Sequence, residues 1–161
     1  MIRSSRASDG PAVVEIWRRA VDATHDFLTA QDRAAIDLDV ARDLPQAPLW
    51  LAIDDRGYAI GFMGLSGSHL DCLFIDPRHH RQGVGRKLVA HAQSFHPVLE
   101  TEVNEQNHGA RAFYARIGFK PFAWTPIDEQ GRAYPLLYLR RDSQDSAKDR
   151  EDATNKMTSA P

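Results

Sequence analysis

The chain has 161 residues, 42% of them apolar, which is enough for one domain with a core of its own. Its net charge of -2 excludes broad electrostatic capture of nucleic acid or of an anionic membrane surface. No apolar run is long enough to span a bilayer, no secretory h-region follows Met1, and the single cysteine, Cys72, cannot form an intrachain disulfide, so a reducing cytoplasm is the expected setting.

Ser8-Asp9-Gly10-Pro11 reads as a helix start with Ser8 as its cap, and Val13, Ile16, Trp17 and Ala20 follow at three-to-four-residue spacing. Thr29 opens a second amphipathic stretch carrying Ile36, Val40 and Leu44, which Pro45 and Pro48 end. From Leu49 the period becomes that of strands. Residues 49–53 and 60–65 are joined by the hairpin signal Asp54-Asp55-Arg56-Gly57, and residues 70–75 make a third strand closed by Asp76-Pro77. A glycine loop then leads into a helix with Val84, Leu88, Ala92 and Phe95 on one face, stopped by His96-Pro97. Residues 98–103 alternate as a strand does. Residues 107–117 place Ala110, Phe113, Tyr114 and Ile117 at helical spacing, with Gly118 as the left-handed terminal residue. Two last strands are expected around 119–124 and 134–140. Residues 1–140 therefore read as one domain of mixed α/β (α+β) class, and residues 141–161, almost without apolar content, as a disordered tail.

The loop carries the most chemical information. It follows a strand, is basic (His79, His80, Arg81, Arg86, Lys87), and delivers Gly83-Val84-Gly85 to a helix N-terminus. Unpaired N–H groups in the first helical turn, helped by the helix dipole, form an anion site suited to phosphate oxygens. A Walker loop needs Gly-Lys-Ser/Thr, and Gly85 is followed by Arg86-Lys87-Leu88; a Rossmann loop needs a third glycine where Leu88 stands. The glycine pair alone leaves a plain strand–helix turn with a solvated basic face as an equal reading.

A second motif, Asn104-Glu105-Gln106-Asn107 with Ala110, Phe113-Tyr114 and Gly118-Phe119, resembles the latter part of the GNAT acetyltransferase signature. The loop 81–86 resembles that family's pyrophosphate loop, in order and at the usual distance. The blocks 21–28, 47–50, 73–77, 103–107 and 134–137 resemble a bacterial branch of the family that acetylates protein lysines. This resemblance spans about residues 2–140. It implies a mostly antiparallel twisted sheet, splayed between its fourth and fifth strands and flanked by about four helices. It implies acetyl-CoA as co-substrate. By position, the backbone of Leu73, Phe74 and Ile75 would pair with the pantetheine arm, and the amides of Arg81, Gln82, Gly83, Val84, Gly85 and Arg86 would hold the pyrophosphate. Asn107 would bond the pantetheine region, and Tyr114 would sit near the thioester sulfur. Two positions depart from the family: His80 stands for Arg or Gln, and Arg81 for a common Gly.

Acetyl transfer to an amine needs a base for the amine, a donor for the oxyanion and an acid for the departing thiolate. Tyr114 is the candidate acid, against the alternative of a core aromatic beside Phe113. His69 and Asp71, expected on one strand face by period-two alternation, are candidates for base and orienting partner, and Glu102 is a third candidate base. His25 and Phe27, in the segment between the first two helices, are expected to border the acceptor pocket. The seven histidines show no compact ligand spacing, so no metal is expected. The leading reading is acetyl transfer to a protein lysine by direct attack in a ternary complex, in a monomer or homodimer. Alternatives are a small-molecule amine acetyltransferase, acting on a polyamine, amino acid or antibiotic, and a non-catalytic acetyl-CoA sensor.

Overall fold

The computed structural model describes residues 1–143. In chain order these form β1 (Ile2–Ser4), α1 (Gly10–Thr24), α2 (Ala30–Asp43), β2 (Leu49–Ile53), β3 (Ala59–Ser66), β4 (His69–Ile75), α3 (Val84–Phe95), β5 (Val98–Asn104), α4 (His108–Arg116), β6 (Lys120–Thr125) and β7 (Leu136–Asp142). The strands make one sheet in the order β1-β2-β3-β4-β5-β7-β6, antiparallel throughout except for the parallel β4–β5 pair.

Most elements stand where periodicity puts them. Thr29 caps α2 by accepting the Asp32 N–H at 3.1 Å. The β2–β3 turn is held by Asp54, whose Oδ1 accepts the N–H groups of Arg56 and Tyr58. Three features differ. β1 is too short to show a period and is defined by pairing with β2, Ile2 opposite Ala52. Ser8 caps nothing: residues Ala7–Asp9 form a 3-10 turn whose Asp9 carboxylate accepts the Arg6 N–H and both Arg3 guanidinium nitrogens. A carboxylate with a charged partner outcompetes a hydroxyl for that role. Finally, β7 starts at Leu136 and runs to Asp142, which pairs with Val98, so the domain extends beyond residue 140. The expected tail lies, from residue 144 onward, outside the described residues.

Two apolar layers cover the sheet. Val13, Ile16, Trp17 and Val21 of α1 pack on Leu51, Ile53 and Phe62. Leu88, Val89 and Ala92 of α3 pack on the other face against Met63, Leu70, Leu99 and Leu139. Each fully buried side chain of this kind contributes about 1.5–3 kcal/mol. α2 packs half-buried Ile36 and Val40 on the first of these layers and is also fastened to α1 by a charge lattice: Arg18 and Arg33 both bond Asp37, and Arg33 also bonds Asp22 and lies over Trp17.

β4 and β5 share a register position only at His69 and Glu100 among the described residues. One step on, the Thr101 hydroxyl donates to Leu70 O at 2.8 Å, and no further register position follows among the described residues. A bulge accompanies the parting. The β3–β4 register passes from Leu65↔Leu70 to Gly64↔Cys72, leaving Asp71 as the extra residue. Bulges bend a strand and raise its twist. This one also reverses the phase of β4: Leu70 packs on the α3 side, yet Leu73 and Ile75, not Cys72 and Phe74, join it there.

Candidate active site

The opening between β4 and β5 organises the site. Asp76 N–H donates to Ile60 O at 2.9 Å, and Phe74 stands opposite Phe62. By antiparallel alternation the peptide groups of Phe74 face β3, while those of Leu73 and Ile75 turn toward the opening. The backbone edge expected from Leu73, Phe74 and Ile75 is thus supplied by the first and last; Phe74 offers its ring, which packs near Phe62 and His25. The Ile75 carbonyl accepts from His80 Nε2 at 3.2 Å, so His80 points back to the strand rather than at the helix end.

The loop beyond β4 is anchored by Asp76, whose side chain is 1% exposed and bonds Arg78 through its backbone N–H and two guanidinium nitrogens, with Arg19 of α1 at 3.1 Å. Hydrogen bonding from Arg78 outweighs burial and, with Arg19, holds the carboxyl down at about 2. Asp76→Ala is expected to cost about 2 kcal/mol and lower the melting temperature by roughly 4–8 °C at neutral pH. Because the folded pKa is depressed, this stabilisation is complete above about pH 4 and is lost as pH falls through 2, so the melting difference from wild type should shrink over that window.

Arg81 and Gly83 both adopt positive φ, 61° and 77°, and α3 begins at Val84 with no side-chain cap. The first intrahelical bond runs from Lys87 N–H to Gly83 O at 3.0 Å, so the N–H groups of Val84, Gly85 and Arg86 precede the helical ladder. A Cβ on Gly83 would meet nothing within 4 Å. Gly85 differs: its Cβ would lie 3.1 Å from Phe113 Cζ, so this glycine serves the approach of α4 to α3.

α4 delivers two further residues. Asn107, 8% exposed, caps the helix by accepting the Ala110 N–H at 3.0 Å, which commits Oδ1 and leaves the amide nitrogen as a donor. Tyr114 is fixed from both ends. Phe119 N–H bonds its carbonyl and Gly118 N–H bonds Ala115 O, a Schellman closure with Gly118 at φ 93°, and its ring sits between Phe113 and Phe119. Its hydroxyl is buried, and burial pushes the phenol up.

Across the opening, His69 is gripped on both sides. Nδ1 meets Asp71 Oδ1 at 2.7 Å and Nε2 meets Glu102 Oε2 at 2.6 Å, while Ser66 Oγ donates to Asp71. Burial pulls the imidazole pKa down, but the hydrogen bonds and charges of the two carboxylates outweigh it and raise it. Glu102 is itself raised, first by burial, with His69 opposing. His69 and Asp71 do meet, though through the bulge rather than by simple alternation. The Cys72 thiol is pushed by burial to about 12 and is inert at neutral pH.

His25 ends α1, 5.2 Å from the Phe27 ring and 6.4 Å from Phe74, and Phe27 faces Tyr134 at 6.0 Å. Burial lowers the His25 pKa. Thr24 Oγ1 already donates to Ala20 O, so His25 Nδ1 carries the proton in the bond between them. Tyr134, which accepts from Thr29 N–H and donates to Asp32, ties this aromatic wall to the start of α2. Tyr134 opens one of the blocks that carry the resemblance, but its place in this wall could not be read from the sequence, because its partner Asp32 is 102 residues away.

A family model described as an acetyltransferase (GNAT) domain matches residues 45–121. The chain is 51% identical over 138 residues to peptidyl-lysine N-acetyltransferase YjaB of Escherichia coli (strain K12), covering 86% of this chain and 94% of that protein. It is 34% identical over 121 residues to peptidyl-lysine N-acetyltransferase YiaC of the same organism, covering 74% and 82%. The solution structure of the apo form of Escherichia coli YjaB matches with a TM-score of 0.84 over 87% of this chain and 95% of that one.

The chain belongs to the GNAT acetyltransferase family.

It is accordingly an acetyl-CoA-dependent N-acetyltransferase, and its sheet, parted between β4 and β5, is the one the resemblance implies. The departure at Arg81 also gains a physical sense. That position is left-handed, the conformation for which glycine, common there in the family, carries no Cβ penalty. Among the described residues no helix is long and apolar enough to cross a membrane.

Proposed function

We propose that this enzyme transfers acetyl from acetyl-CoA to the side-chain amine of protein lysines, in a ternary complex at the β4–β5 opening. The observation that carries this reading is that one gap has cofactor-type groups on one side and proton-handling groups on the other. The backbone edge of Leu73 and Ile75 and the uncapped N–H groups opening α3 suit the arm and pyrophosphate of acetyl-CoA, and the His69–Glu102 pair, which joins β4 to β5, suits proton transfer from an acceptor.

In this reading the amides from Arg81 to Arg86 bind the pyrophosphate and Leu73 and Ile75 pair with the pantetheine. Tyr114 protonates the thiolate as it leaves, and a group of the β4–β5 network removes the proton of the amine. His25 and Phe27 line the way in for a lysine stem, with Phe74 and Tyr134 extending the aromatic wall. The lysine acceptor is supported by the naming of YjaB and YiaC as peptidyl-lysine N-acetyltransferases. Use of acetyl-CoA fits work in the cytoplasm.

The test is a panel of acceptors followed by thiol release: lysine peptides, polyamines, free amino acids and aminoglycosides. Lysine peptides should give kcat/KM values at least about tenfold above every small amine, a margin of about 1.4 kcal/mol in transition-state binding. A small amine leading by that margin replaces the protein-lysine reading. Acetyl-CoA binding without thiol release to any amine would instead mark a sensor.

A further inference from the structure

Glu102 stands where several elements meet. From β4, His69 contacts its Oε2 at 2.6 Å and Asp71 lies beyond the imidazole. On β7, Tyr138 is its cross-strand neighbour, and on the same face Arg140 is paired with Glu100. The Tyr114 phenol of α4 senses its charge, as does Glu129 of the β6–β7 loop. Its side chain is 17% exposed, against 42% for Asp71.

Both nitrogens of His69 are engaged by carboxylates, the arrangement an imidazolium satisfies completely and a neutral ring satisfies only in part. An imidazolium has no lone pair with which to take a proton. Asp71 is doubly engaged, by His69 on Oδ1 and by Ser66 on Oδ2. Glu102 keeps Oε1 without a hydrogen bond among the described residues.

We infer that, within the acetyl transfer proposed above, Glu102 accepts the proton of the attacking amine and His69 is the positioning residue that holds its carboxylate. The acceptor arrives as an ammonium ion and gives one proton to Glu102, freeing the nitrogen lone pair. Nitrogen attacks the thioester carbonyl, the C–N bond forms, and the C–S bond breaks with its electron pair on sulfur. The thiolate takes the Tyr114 proton, the phenolate recovers one from the new amide nitrogen, and Glu102 returns its proton to solvent. Burial of Glu102 assists, since a carboxyl raised above its ordinary range is a stronger base toward an ammonium ion. This assignment differs from the two β4 candidates, His69 and Asp71, which become the clamp and its anchor.

The experiment compares wild type with Glu102→Gln, His69→Gln and Asp71→Asn in the full chain. The pH dependence of kcat/KM on a lysine peptide is measured from about pH 5.5 to 9, with acetyl-CoA affinity by calorimetry. Glu102→Gln should lose about 100-fold at pH 7 and lose the acid-side limb of the profile, with acetyl-CoA affinity unchanged. His69→Gln should keep that limb but move it to higher pH, because the carboxylate loses its cationic neighbour. Asp71→Asn should keep the limb as well, since it leaves the Glu102 carboxylate in place. Retention of the limb in Glu102→Gln, or its disappearance in His69→Gln instead, overturns the assignment. Wild type that binds acetyl-CoA yet releases thiol to no amine removes the acetyltransferase reading and this inference together.

Discussion

Tyr114→Phe lowers kcat by two to three orders of magnitude and leaves acetyl-CoA affinity within about twofold of wild type. The expectation rests on how the ring is held. Phe113 and Phe119 lie 5.2 and 5.1 Å from it, and the Schellman closure at Gly118 fixes the backbone, so phenylalanine keeps the packing and loses one hydroxyl. That hydroxyl is buried and its pKa is raised, so it stays protonated throughout the range in which an enzyme of this class is assayed. A proton held in reserve is what a departing thiolate needs, and in a desolvated site the unprotonated thiolate is itself costly. Thiol-release kinetics give kcat, calorimetry gives affinity, and a melting curve separates folding from chemistry. An unchanged kcat takes Tyr114 out of the mechanism.

What could be read beforehand was mainly local. Thr29 as a cap, the turn at Asp54 and the left-handed Gly118 need only neighbouring residues, and each stands as its chemistry predicts. What could not be read depends on partners distant in sequence. The bulge at Asp71 exists only in the register of β3 against β4, so alternation along β4 alone assigns its faces wrongly. The bond from His69 to Glu102 spans 33 residues and requires β4 and β5 to run parallel and then part. Spacing also could not divide the two loop glycines. Both stand in the loop that the resemblance assigns to the pyrophosphate, and only the position of Phe113 shows that the space beside Gly85 is taken by packing. The resemblance supplied the site's outline; the sharing of protons within it needed the structure.

Gly83→Val should raise the acetyl-CoA dissociation constant by at least about 100-fold, or roughly 3 kcal/mol, while the chain remains folded. Two costs enter and they can be separated. At φ 77° any Cβ is disfavoured by about 1–2 kcal/mol, a local penalty that Gly83→Ala carries as well. Nothing lies within 4 Å of the added Cβ, so neither variant disturbs the core, and both should melt only a few degrees below wild type. The branched side chain of valine differs by standing in the open space ahead of α3, where phosphate oxygens must approach the N–H groups of Val84, Gly85 and Arg86. Alanine should therefore lose far less affinity than valine at a similar melting temperature. Equal losses in the two would assign the effect to backbone strain, and normal affinity in Gly83→Val would remove this loop from the cofactor site.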